Sequence, residues 1–345
     1  ASESLDIDPF NFGILYEKYL LGDSSALRLF KDRIRGNIHN YIETALDYIW
    51  AGMYEEAVAL LDTGIADQET AYIMAWFYKA WALYKWGKEH EAMDSLSKAE
   101  STSPDYGFPN QVESVPALEL AIKLNPGGAY APYCLGNFWY NARQYEEARD
   151  CFERSAKLDR SFPVVFRNLA LLYFNKFGQK QSAQKNMERA FDLDPSDARI
   201  LMELNQLYRK LNKSVNFRFQ LLGKYTDLIK ERDDLYLEWI EMFIQKKDFH
   251  KAFELIMSHR FHPWEGGEGK VSGAYVNSLA GIAREYIEKK DYHEAITSLE
   301  KAKVYPENLG EGKLPNAQEN KINYWIGCAY EGLMKQDKAL KAWEE

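Results

Sequence analysis

The sequence predicts an all-α protein, a solenoid of antiparallel helix pairs, and three observations carry that prediction. Small residues recur in a fixed frame at Ala57, Ala92, Ala148, Ala183, Ala252, Ala295 and Ala339, with Phe217 in the equivalent place of one degenerate copy. Around them, apolar residues lie three and four apart on both sides of a short turn, the pattern of two amphipathic helices folded against each other. Little of the chain reads as strand, and no Pro/Gly-rich linker divides it.

The frame is clearest in GMYEEAVALL at 52–61, RQYEEARDCF at 143–152, KDFHKAFELI at 247–256 and KDYHEAITSL at 290–299. Residues 1–37 precede the first copy and read as N-terminal capping helices, near Phe10–Leu21 and Ala26–Ile34. From residue 38 to 345 the intervals between the small residues are 35, 56, 35, 34, 35, 43 and 44. The longest interval holds one extra helix, about Glu113 to Leu124, and insertions are expected near 105–116, 260–275 and 304–319. Asp248 and Asp291 stand where N-caps of second helices belong, and the LNP and LDP stretches at 124–126 and 193–195 end helices. A single helix pair cannot bury both its faces, so stacking of successive pairs must supply the core.

Ala80, Gly87, Ala92, Ala99 and Pro104 in one copy, Gly136 and Ala148 in another, and Gly327, Tyr330 and Ala339 in the last resemble the tetratricopeptide repeat pattern. That resemblance implies a right-handed superhelical solenoid. Gly64 and Ser155, in place of the late Ala, and Phe217 depart from the pattern. A narrower resemblance runs through PALELAIKLNP, APYCLGNFWY, LDRSFPVVFRNLALLYFNK, ERDDLYLE, RFHPWEGGEGK and YPENLGEGKLPNAQEN, across much of residues 108–340. These stretches are similar to the C-terminal repeat region of large bacterial proteins that begin with an uncharacterised, aldose-epimerase-like β-sandwich domain. The resemblance implies that such a domain is the partner of this array, and that any carbohydrate chemistry belongs to the full-length protein.

Composition excludes several classes. A formal charge of −9, from 52 acidic and 43 basic residues, argues against nucleic acid or an anionic membrane as partner. No stretch is apolar for long enough to span a bilayer. Cys134, Cys151 and Cys328 are too few for a disulfide framework and suit a reducing, cytoplasmic setting. The sequence begins without Met and stops within a helical pattern, so both ends read as processing or cloning boundaries.

Two surfaces are candidates for function. The first is a rim formed by two loops that share the motif GEGK: His262, Trp264, Glu265, Glu268 and Lys270 in one, Asn308, Glu311 and Lys313 in the other. The repeat frame puts both loops between a second helix and the next first helix, on one edge of adjacent units. Trp264 offers an apolar platform and the carboxylates accept hydroxyl hydrogens, so a polar ligand fits; equally, the loops fit as joints between units. Val271 and Leu314 follow the two lysines where a phosphate loop needs Ser or Thr, so no nucleotide is expected. His90, His250 and His293 share one solvated position per unit, and no Cys completes a zinc pattern near His259 and His262. No metal or cofactor is expected.

The second surface is a groove on the first helices of the early units: Phe77, Trp81 and Tyr84, then Tyr130, Tyr133, Asn137 and Tyr140, then Arg167, Leu171 and Phe174. Aromatics with one Asn and one Arg suit a protein or peptide segment, although such a stripe also serves as core. Tyr133 occupies the place where a clamp for a peptide's terminal carboxylate would need Lys. The expected function is therefore a noncatalytic scaffold or protein-interaction module. The alternative is part of a carbohydrate-active enzyme whose substrate site is completed by the 262–270 and 306–313 loops, with Glu265, Glu268 or Glu311 acting.

Overall fold

The computed structural model describes residues 2–68, 72–313, 317 and 319–345, and among these every regular element is helical. The chain forms two compact units, Ala1–Leu193 and Asp194–Glu345. The sequence shows no linker there, because Asp194-Pro195 reads as one more inter-repeat turn.

In the first unit, α1 (Ser2–Ile7), α2 (Phe12–Leu20) and α3 (Ser24–Ile34) precede the paired helices. The pairs are α4 (Ile38–Ala51) with α5 (Tyr54–Ala66), and α6 (Ile73–Lys85) with α7 (Glu89–Glu100). The extra helix α8 (Ser114–Leu124) lies against α6 and against α9 (Tyr130–Asn141). Then α9 pairs with α10 (Tyr145–Leu158), and α11 (Pro163–Asn175) with α12 (Lys180–Leu193).

The second unit contains α13 (Ala198–Lys210), the short α14 (Val215–Leu222) and α15 (Thr226–Ile229), then α16 (Asp233–Gln245) with α17 (Phe249–Met257). It ends with α18 (Lys270–Glu288) paired to α19 (Tyr292–Ala302) and α20 (Asn320–Gly332) paired to α21 (Gln336–Glu344). The insertion expected at 260–275 therefore closes at Gly269, where α18 begins. Residues 314–316 and 318, within the last expected insertion, lie outside the described residues.

All seven framed alanines are buried, as are Leu61, Leu96, Phe152, Met187, Ile256 and Leu299 one helical turn beyond six of them. A small residue lets two helices approach, and the large one that follows fills the gap this creates. Phe152 of α10, for example, lies over Gly136 of α9, with its ring 6.2 Å from that of Tyr133. In the last pair the equivalent large residue, Trp343, is 41% exposed.

The degenerate copy is built differently. Phe217 is 45% exposed, and the neighbouring Arg218 turns inward instead. Its guanidinium donates to Asn205 Oδ1 at 3.3 Å and lies 3.6 Å from Glu238, which also accepts from Arg209 at 2.5 Å. A buried charge is tolerated only when it is paired in this way. Of the two expected caps, Asp248 accepts from the Lys251 amide at 3.2 Å, whereas Asp291 makes no side-chain cap bond.

Candidate functional site

The two GEGK loops meet. Glu311 accepts from the Gly269 amide at 2.7 Å and from the Ser272 amide at 2.6 Å, so its carboxylate caps α18 across 39 to 42 residues of sequence. Free amides and the helix dipole make such a terminus a natural seat for a carboxylate. Asn308 works at the opposite kind of end: its Nδ2 donates to the Ile256 and His259 carbonyls at 2.8 and 2.9 Å, where α17 terminates. Gly310 has φ +70°, and any Cβ there would collide with the Phe261 carbonyl, so this approach is open only to glycine. Lys313 donates to the Lys303 carbonyl and to Glu319.

The first loop is held from below by a residue that sequence reasoning missed. Asp233, at the start of α16, pairs with His259 Nε2 at 2.6 Å and with His262 Nδ1 at 3.1 Å, and accepts from the His262 amide at 2.7 Å. Burial works to raise the Asp233 pKa, but the bonds from His259 and His262 outweigh it and hold the carboxyl below its ordinary 3.8. A depressed pKa stabilises the fold above the unfolded value and loses that contribution as the pH falls through the folded one. The stability difference between the natural chain and Asp233→Asn should accordingly be about 1 kcal/mol at mildly acidic pH. It should shrink as the pH drops below 3.8, which urea titrations across that range would measure. A difference that does not change with pH would remove the carboxylate from the account.

Of the remaining rim residues, His262, Glu265, Glu268 and Lys270 are exposed, and Trp264 is half-buried with its indole over Gly267. The groove residues divide more sharply. Phe77, Trp81 and Tyr133 are buried in the core of the first unit. Tyr133 meets Phe162 edge to face at 4.8 Å, and Trp81 meets Trp50 at 5.7 Å. Tyr84, Tyr130, Asn137, Tyr140, Arg167 and Phe174 are half-buried. Asn168 donates to Asn137 Oδ1 at 3.1 Å, while the Asn137 Nδ2 is enclosed without a hydrogen-bond partner.

The insertion before α8 lies close to this groove, and its Asp105 charge, after burial and other carboxylates, helps to raise the Tyr130 pKa. Within it Pro104, Gly107 and Pro109 are buried, while Tyr106 is 84%, Phe108 58% and Val112 70% exposed. The order of burial is thus reversed: small residues face inward and large apolar ones face water. A Cβ at Gly107 would press on Ile73, and the Tyr72 hydroxyl reaches the Phe108 carbonyl at 3.5 Å.

Among the described residues no group of three or more His, Cys, Asp or Glu could hold a metal ion. No helix there is long and apolar enough to cross a membrane. Burial pushes the Cys134 thiol far up, away from nucleophile chemistry.

Helix pairs stacked through alternating small and large seams define an α-helical repeat protein. Two stretches of it, residues 131–162 and 276–303, each match the tetratricopeptide repeat family. Among solved structures, YrrB, a tetratricopeptide protein with an unusual peptide-binding site, is 13% identical over 66% of this chain and 98% of its own, with a TM-score of 0.40. The pilF protein of Pseudomonas aeruginosa is 18% identical over 64% and 89%, with a TM-score of 0.35. Yeast Tom70 is 16% identical over 91% and 59%, also with a TM-score of 0.35.

Proposed function

We propose that this chain is a noncatalytic scaffold whose first unit holds a protein partner, and that this partner is the aldose-epimerase-like β-sandwich domain implied by the sequence resemblance. Carbohydrate would then concern the partner and not the helical array. The observation that supports this reading is the reversed burial of the 104–112 insertion. Three large apolar side chains are held in water by a backbone that its own small residues anchor, and a clustered apolar patch of this kind marks an interaction surface. Half-buried Tyr130 lies near Asp105 of this insertion, and the half-buried Tyr84, Asn137, Tyr140, Arg167 and Phe174 of the candidate groove add rings and polar groups suited to a protein surface. Substrate chemistry by Glu311 itself would require it to leave the two amides it caps.

The test is titration of the isolated sandwich domain into this chain, followed by calorimetry. A one-to-one complex is expected, weakened about tenfold or more by the double change Tyr106→Ser and Phe108→Ser, which removes two large apolar contacts. No complex, or one indifferent to those changes, would reject the proposal.

A further inference from the structure

The last helix pair of the second unit lacks a piece that other pairs have. Sixteen residues before Ala57, Ala252 and Ala295 stand Tyr41, Tyr236 and Leu279, each of them large and buried. The two tyrosines cross to the second helix of their own pair. Tyr41 lies against Gly64 and donates to Asp67 just past α5 at 2.6 Å, and Tyr236 donates to the Leu255 carbonyl of α17 at 3.3 Å. Sixteen residues before Ala339 the chain places Asn323 instead.

Asn323 is too short to fill that place. Two hollows, of about 490 and 290 Å³, open beside it between α20 and the end of α21, and Asn323 and Ala342 line both. Asn323 is only 5% exposed, yet its Oδ1 has no hydrogen-bond partner. A buried acceptor left open costs free energy, so an empty one calls for a donor. Asn323, Ile326 and Ala342 are the buried residues of the smaller hollow, which makes its floor carbon with a single amide. Its charged groups are exposed, save the half-buried Lys303, which lies 3.8 Å from Glu300 and 3.9 Å from Glu319. In the larger hollow Trp343 offers ring surface alone, because its indole N–H already donates to the Tyr324 carbonyl at 3.0 Å.

We infer that this seam binds a small aromatic group carrying one hydrogen-bond donor, a phenol or an indole, with its ring on Ile326 and Ala342 and its donor on Asn323 Oδ1. The guest takes the place that Tyr41 and Tyr236 fill in their own pairs. Either hollow exceeds the ~150 Å³ that admits benzene to an apolar cavity. Water serves poorly there, since a held water needs about two to four polar partners and the buried floor offers one side-chain group. A charged guest would give up its hydration to carbon walls.

Calorimetric titration of the intact chain with p-cresol, the tyrosine side chain as a free molecule, tests the inference. Toluene, of the same shape without the hydroxyl, is the comparison. The phenol should bind about tenfold more tightly than toluene, the scale of one buried hydrogen bond. Asn323→Ala keeps the hollow and removes the acceptor, so the two compounds should then bind alike. Asn323→Leu fills the place as Leu279 does in the preceding pair, and should abolish binding of both. N-acetyltyrosinamide separates the sources of the ring: affinity like that of p-cresol assigns the seam to a tyrosine of another chain, and exclusion assigns it to a free compound. Circular dichroism would establish that both variants are folded. Failure of p-cresol to bind, equal affinity of the natural chain for p-cresol and toluene, or p-cresol binding undiminished in Asn323→Leu would each overturn the inference.

Discussion

Replacing Phe152 with Ala is expected to destabilise the first unit by about 3–5 kcal/mol, the usual loss for a buried aromatic. The ring is wholly enclosed, lies over Gly136, and leans towards Tyr133, which in turn meets Phe162 at the start of the next pair. Collapse into the vacated space is blocked, because Gly136 has no side chain to move in and both helices are continuous. Phe152 thus backs the ring, Tyr133, that meets the next pair, and its loss is felt by both. Urea denaturation followed by tryptophan fluorescence would measure the effect, and Phe152→Leu should recover more than half of it. A loss below about 1 kcal/mol would mean that the seam is less tightly filled than the geometry requires.

The second large effect is expected at Glu311→Ala, at about 2–3 kcal/mol in the second unit, from two charge-assisted bonds to the first amides of α18. Its carboxylate accepts from Gly269 and Ser272 at 2.7 and 2.6 Å, and the N-cap itself, Gly269, has no side chain to do so. Glu311→Gln should fall between, since it keeps one good acceptor and loses the charge that the helix dipole favours. Hydrogen exchange offers a local readout: the Gly269 and Ser272 amides should lose protection in Glu311→Ala while those of α13 keep theirs. Unaltered exchange at both amides would show that the cap contributes nothing.

Much of the architecture was legible because it rests on local periodicity. The framed alanines, the extra helix at 114–124 and the adjacency of the two GEGK loops all follow from counting residues within a repeat. What was not legible depends on partners far along the chain. Asp233 reads as an ordinary helix-start acid, and only the folded chain brings His259 and His262 to it. Asp234, Glu238 and Glu241 have the spacing of a solvated face, so nothing in their order announced that they line one cleft with Trp264. Phe217 stood in the alanine frame and invited placement in a seam, but the adjacent Arg218 found Asn205 and Glu238 and took the interior position. The 105–116 stretch was visible as an insertion, whereas the outward turn of Tyr106 and Phe108 depends on how Pro104, Gly107 and Pro109 seat themselves.

The bracing between the GEGK loops has a consequence for how this array can vary. Glu311 reaches back to Gly269, and Asn308 reaches back to the end of α17, so the α17–α18 joint is completed by residues from the joint that follows it. Deleting or transplanting either loop alone would strand bonding groups in the other. The two joints and the α18–α19 hairpin between them are consequently inherited, exchanged or redesigned as one block, in an architecture otherwise noted for interchangeable modules.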